Sequence, residues 1–265
     1  MLCFCLAACG RAGRHSVIDF ADSSISQGAQ FLHRLAKNGF ATKKSVASTL
    51  HIYIEGDGEP WLGPGKIALD PSPAESIAWQ MMLNDPLPAV FVGRPCYFHT
   101  QDPNCNPGLW TNARYSREVV DSMAAVIDRI RAQYHADKLV LIGFSGGGAL
   151  AVLLATRLPQ IDTVITFGAD LDTDAWTSFH GYSALNASLN PADFVLPERV
   201  KQLHFVGEKD DNVPANLNRR FYRVNKITPI VVKNFTHTCC WLNYWQQEET
   251  EWLRQSATMR DSGQP

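Results

Sequence analysis

The chain has 265 residues, 45% hydrophobic and 19% charged, an ordinary globular composition with length enough for one α/β domain around a substantial core. A net charge of −2 with scattered Lys and Arg leaves no basic stripe, so neither nucleic acid nor an anionic membrane surface is implied as a partner, and a small molecule is expected. Seven cysteines, at 3, 5, 9, 96, 105, 239 and 240, contain no pair of Cys-x-x-Cys hooks. That argues against structural zinc; no metal, cofactor or protein partner is expected.

Met1-Leu2-Cys3-Phe4-Cys5-Leu6-Ala7-Ala8-Cys9-Gly10 is apolar and ends in small residues, as the tail of an export signal does, yet is too short to span a membrane. Leu6-Ala7-Ala8 before Cys9 resembles a bacterial lipoprotein box that lacks a basic start, which implies lipidation of Cys9, a lipid anchor and an exported, periplasmic or membrane-anchored protein. A leader of no consequence on a cytoplasmic protein is the alternative. Residues 10–30, rich in Ser, Ala and Gly, read as a linker, so the folded domain is expected over 31–258, ahead of a polar tail, 259–265. Phe31–Ala36 reads as a short amphipathic helix, and Thr49–Ile54 as the end of an antiparallel β region. It runs into Glu55-Gly56-Asp57-Gly58-Glu59-Pro60-Trp61, where two glycines let the backbone approach a ligand.

Pro73–Leu83 reads as a helix and Ala89–Val92 as a strand. The long loop from Gly93 to Trp110 holds three prolines and is expected to shape a site. Cys96 and Cys105 flank its polar part and would close it as a disulfide in an oxidising compartment, which supports export. A helix over Ser116–Tyr134 carries a core stripe of Val119, Val120, Met123, Val126, Ile127 and Ile130. Further alternation follows: strand Leu139–Ile142, helix Ala149–Leu158, strand Thr163–Gly168, a small lid-like excursion over 169–199, strand Gln202–Gly207, helix Pro214–Tyr222, strand Pro229–Val232 and helix Trp241–Leu253. This pattern predicts a mostly parallel sheet with helices on both faces, and places the loops after Ile54, Ile142, Val206 and Val232 on one rim.

Within Leu139-Val140-Leu141-Ile142-Gly143-Phe144-Ser145-Gly146-Gly147-Gly148 a buried strand must reverse into a buried helix in about four residues, which leaves no room for side chains beside the apex. Ser145 is thereby presented at a strand's carboxyl end and a helix's N-terminus, in the pattern Gly-x-Ser-x-Gly of a nucleophile elbow. A phosphate loop is the alternative, but no Gly-Lys-Ser/Thr follows. A serine hydroxyl needs a histidine to take its proton and an acid to orient that histidine. Of eight histidines, His237 closely follows the last strand; His51 and His204 sit in strands and read as structural, while His99 and His180 on loops are weaker rivals. Cys239 and Cys240 read as small apolar packing beside His237, with a vicinal disulfide as the alternative. Trp61, Trp110, Trp176 and Trp241 are the candidates for lining an acyl pocket, core packing being the alternative for each.

Gly143-Phe144-Ser145-Gly146-Gly147, then Gly207-Glu208-Lys209-Asp210-Asp211-Asn212-Val213-Pro214, then His237, resembles the α/β-hydrolase superfamily in spacing and in Ser–acid–His order over residues 40–255. The resemblance implies Asp210 as the acid, three residues after the glycine that ends a strand, with Asp211 and, after the preceding strand, Asp170 or Asp172 as competitors. Asp211 is expected instead to cap the helix near Pro214. It also implies an oxyanion hole from the N–H groups of Gly146 and Asp57, although Glu55 stands where the superfamily carries histidine. Tyr-Ile-Glu-Gly-Asp-Gly and Gly-Arg-Pro-Cys are similar to segments of small exported bacterial hydrolases. The implied activity is hydrolysis of an ester-like acyl bond by a serine hydrolase of the carboxylesterase or lipase kind through an acyl-enzyme, against peptidase, acyltransferase or a non-catalytic binding protein on the same fold.

Overall fold

In a computed structural model of the chain, which describes residues 23–41 and 48–248, the apolar runs pair into one eight-stranded sheet. Its strands are β1 (Ser24–Gln27), β2 (Leu32–Lys37), β3 (Thr49–Ile54), β4 (Ala89–Val92), β5 (Lys138–Phe144), β6 (Ile161–Phe167), β7 (Lys201–Gly207) and β8 (Ile230–Val232), in the spatial order β1-β2-β4-β3-β5-β6-β7-β8. Only the pairings of β2, with β1 and with β4, are antiparallel. Every other pairing is parallel. Successive side chains of a strand point to opposite faces, and Leu50 to Ile54 are buried without a break, as are all of β4 and Leu139 to Phe144. Both faces of the central sheet are therefore covered, which is why these strands read as continuous apolar runs rather than alternating ones.

The α-helices among the described residues are α1 (Ile77–Leu83), α2 (Arg117–Tyr134), α3 (Gly146–Ala155), α4 (Thr173–His180) and α5 (Arg219–Asn225), with residues 241–248 also helical. Ser116 caps α2 by accepting the N–H of Val119, and the six residues of the predicted stripe are all buried. Every residue of α3 is buried, consistent with its all-apolar composition. The leader, Cys9, the far end of the last helix and the polar tail lie outside the described residues.

Several expectations need correction. Phe31–Ala36 is strand rather than helix: His33, read as polar, is fully buried between the carbonyl of Gly93 and the hydroxyl of Ser122, so the alternation of period two was hidden by a core histidine. The stretch 10–30 is not linker throughout, because β1 lies in it; an exposed edge strand needs no apolar signature. Thr49–Ile54 runs parallel between β4 and β5, and the antiparallel part ends at the β2–β4 pairing. The helix expected from Pro73 begins at Ile77, where Ser76 accepts the N–H of Trp79. The helix expected from Pro214 begins at Arg219, and Asp211 does not cap it; Asp210 instead takes up the N–H groups of Asn212 and Val213.

Candidate active site

β5 delivers Ser145 into the turn with φ 50° and ψ −125°, a strained conformation for a residue with a side chain, and α3 starts at the next residue. A Cβ on Gly143 would overlap the backbone of Gly147, and one on Gly147 would overlap the carbonyl of Ile54, so this reversal admits only glycine at both places. Gly146 opens α3, and its N–H belongs to the first turn, where no carbonyl of the helix can reach it.

His237 follows β8. Its backbone carbonyl accepts the indole N–H of Trp241 at 2.8 Å, and its ring packs on Phe144 with centroids 5.3 Å apart. Asp210 follows β7 and is 4% exposed; its Oδ1 accepts from Asn212 and Val213, which leaves Oδ2 to accept the Nδ1–H of His237 at 2.9 Å. With the proton on Nδ1, Nε2 is the acceptor that faces the Ser145 hydroxyl at 3.0 Å. Serine, imidazole and carboxylate thus form one chain of hydrogen bonds, drawn from three loops on the rim that the strand alternation predicted. Such an arrangement can take a proton from the hydroxyl as it attacks an electrophile and hold the imidazolium that results.

The loop after β3 is fixed by its own acids. Glu55, buried, accepts the N–H of Gly56, the hydroxyl of Ser76 and the N–H of Ala78, joining the loop to the start of α1. Burial outweighs those hydrogen bonds and raises its pKa. Gly56 lies against Ser145, where a Cβ would come 3.0 Å from the serine Cβ. The Asp57 carboxylate is gripped by Arg94, by Arg114 at 2.9 Å and by the Tyr115 hydroxyl at 2.7 Å, while its carbonyl accepts from Tyr97 at 2.9 Å. Burial opposes ionisation of Asp57, but the charges of Arg114 and Arg94 prevail and hold the carboxyl well below the usual range. Composition and spacing gave no sign of this cluster; Arg94 stood in a segment singled out for its loop, and Arg114 and Tyr115 carried no signal at all.

Ser145 and His237 open into a cleft of about 1270 Å³. Trp61 and Trp176 line it, with Asp170, Arg114 and Tyr182. Trp110 and Trp241 do not: both are buried, Trp110 bonded to the carbonyl of Ala68 and Trp241 packed beneath His237 on Phe167 and Phe235. Their assignment to an acyl pocket is corrected to core, since an indole with a buried N–H needs a carbonyl partner and finds it inside. From the excursion 169–199, Asp170, the α4 residues Trp176 and Thr177, and residues 181–185 line the cleft. Of the rival histidines, His99 pairs with Asp70 and His180 with the carbonyl of Asn212. Of the rival acids, Asp211 is exposed and Asp172 caps α4. Cys96 and Cys105 are disulfide-bonded, with Cα atoms 5.6 Å apart. Cys239 and Cys240 are bonded to each other and exposed, which corrects the expectation of packing residues and matches the alternative.

The sequence profile of the alpha/beta hydrolase fold matches residues 99–255, a span that contains Ser145, Asp210 and His237. Among curated proteins no sequence matches the chain. Solved structures are similar in fold: Est1E from Butyrivibrio proteoclasticus at 12% identity, TM-score 0.62, covering 90% of this chain and 100% of that one; an esterase from Pyrococcus furiosus at 11%, TM-score 0.60, covering 88% and 91%; and a serine hydrolase without a lid from Xanthomonas campestris at 15%, TM-score 0.54, covering 89% and 95%.

Proposed function

Because the chain belongs to the α/β-hydrolase fold family, we propose that it is a serine hydrolase that cleaves an ester-like acyl bond through Ser145, His237 and Asp210. The observation that carries this reading is the unbroken hydrogen-bond chain from the Ser145 hydroxyl through His237 to Asp210, opening into a cleft large enough for a small-molecule ester. His237 Nε2 takes the hydroxyl proton as Ser145 Oγ attacks the carbonyl carbon. The N–H groups of Gly146 and Asp57 donate to the oxyanion that forms, aided by the N-terminus of α3. Collapse of the tetrahedral adduct expels the alcohol, which receives its proton from His237. Water, deprotonated by the same imidazole, then releases the acid and regenerates the serine.

The ion pairs of Asp57 suit this role, because a side chain committed to Arg94, Arg114 and Tyr115 fixes the backbone N–H without offering a charge to the oxyanion. Trp61 and Trp176 are proposed to flank the bound ester. The Cys96–Cys105 bond supports an oxidising compartment and, with the box that ends in Cys9, supports export with a lipid anchor. Labelling with a fluorophosphonate probe, followed by hydrolysis of p-nitrophenyl esters of increasing chain length, tests the activity; a matched anilide series separates amide from ester cleavage. A folded protein that neither labels nor hydrolyses any of them favours the non-catalytic binding reading, and the proposal fails.

A further inference from the structure

Resting on the serine-hydrolase reading, we propose that Asp170 and Arg114 form a polar subsite in the cleft of Ser145 that selects esters carrying a free hydroxyl near the scissile carbonyl. Asp170 follows β6, lines the cleft and is 4% exposed, yet its Oδ1 has no hydrogen-bond partner among the described residues. A buried carboxyl oxygen is costly to leave unpaired, and native structures seldom do so without a ligand or water to meet it. The catalytic hydrogen bonds do not use it, since the Nδ1–H of His237 goes to Asp210.

Arg114 lines the same cleft, with its guanidinium 5.9 Å from the centre of the Trp176 ring. Its Nε donates to the carbonyl of Thr111 and its Nη1 to Asp57, while Nη2 makes no hydrogen bond among the described residues. Charge then decides what this pair can hold. Asp57 already balances part of the charge of Arg94 and Arg114, and Glu59 on the cleft wall disfavours an anion. The two guanidinium groups disfavour an ammonium. One acceptor and one donor remain, and a hydroxyl is the smallest neutral substituent that both donates and accepts. Burial, reinforced by the charge of Asp57, pushes the Asp170 carboxyl well above the usual carboxylate range; in its neutral form it can donate or accept, and a hydroxyl satisfies either. Trp61, Trp176 and Tyr182 supply flat faces for the C–H side of such a substrate.

The hydroxyl belongs either to the acyl group, as in a hydroxyalkanoate ester, or to the alcohol, as in a partial ester of a polyol. Two matched pairs separate the sources: p-nitrophenyl hydroxybutyrate against butyrate, and glycerol monobutyrate against propyl butyrate. They are measured on the full chain and on Asp170→Leu and Asp170→Asn, with fluorophosphonate labelling of each in parallel. The proposal expects the wild-type kcat/KM to favour the hydroxyl-bearing member of one pair by about tenfold or more, since a site built to bond a hydroxyl rejects the analogue that lacks it. Asp170→Leu should lose that preference, and Asp170→Asn, which keeps the shape and an acceptor, should retain it. Equal rates within both pairs, or no measurable hydrolysis of any member by a protein that labels, overturn the subsite and leave the nucleophile standing. A preference that survives in Asp170→Leu also overturns it. Should Asp170→Leu fail to fold by circular dichroism, the wild-type ratios and Asp170→Asn decide. Absence of labelling at Ser145 overturns the serine-hydrolase reading and the subsite together.

Discussion

Ser145 and Ser122 each lie within hydrogen-bonding distance of a histidine, at 3.0 Å from Nε2 of His237 and 2.8 Å from Nε2 of His33. By residue type and separation the two pairs are equivalent. Their surroundings are not. The far nitrogen of His237 meets the carboxylate of Asp210, which can stabilise a positive ring; that of His33 meets the carbonyl of Gly93, at 2.9 Å. Ser145 stands half-buried at a turn apex that lines a cleft, whereas Ser122 lies within α2, fully buried, and its hydroxyl also accepts the N–H of Phe31. Burial, opposed by the carbonyl of Gly93, lowers the His33 pKa to about 4, so that ring stays neutral and ties β2 to α2. A serine beside a histidine is thus a structural cross-link or a nucleophile with its base according to access and to the group behind the imidazole.

The sharpest way to break the comparison is to remove each serine. Ser145→Ala should lower turnover on the order of 10⁶-fold and abolish fluorophosphonate labelling, while Ser122→Ala should label normally. A peptide map with the label on any residue but Ser145 would reverse the assignment. Asp210→Asn makes the first pair resemble the second by leaving no ionised acid behind the ring. Turnover should fall about 10⁴-fold with little change in melting temperature, and Asp211→Asn should be mild. If Asp211→Asn proves the worse of the two, the orienting acid has been misassigned.

The buried pair makes itself felt through stability. In the unfolded chain His33 titrates near 6.5, against about 4 when folded. Between those values the unfolded state binds a proton that the folded state refuses. The stability is therefore fully present above pH 6.5 and is lost as pH falls toward 4, by roughly 3 kcal/mol. Urea unfolding of wild type and His33→Gln across this range should give curves that converge as pH falls; parallel curves would show that burial of His33 does not govern the slope. The smallest effect belongs to Ser122→Ala, which strips a partner from His33 and from the N–H of Phe31 and should cost about 1–3 kcal/mol at neutral pH, measured the same way.

The parts legible in the sequence are those where local pattern and tertiary environment ask for the same residues. β5, its glycine turn and α3 are apolar and glycine-rich because they are buried on all sides, so the elbow could be placed residue by residue. His237 was singled out by its place after the last strand, whereas Asp210 came from the family resemblance, three residues after Gly207. β2 was hidden because His33 and Arg34 look like a polar face while His33 is core. The anchoring of Asp57 was unreadable because Arg94, Arg114 and Tyr115 lie 37, 57 and 58 residues from it along the chain, with no periodicity to join them. Trp110 and Trp241 show the limit on aromatic residues: an indole near a site in sequence says nothing about which side of the loop it faces.

Trp241 holds the backbone of His237, and four residues on the indole N–H of Trp245 donates to the hydroxyl of Tyr53 in β3, which in turn donates to Asp85. These two latches give the molecule a history as well as a shape. Ser145 precedes His237 by 92 residues, so on the proposed reading a chain synthesised only as far as the elbow lacks its base. On that reading, turnover requires the helix that carries Trp241 and Trp245 to be seated on the sheet, and so reports completion of the fold.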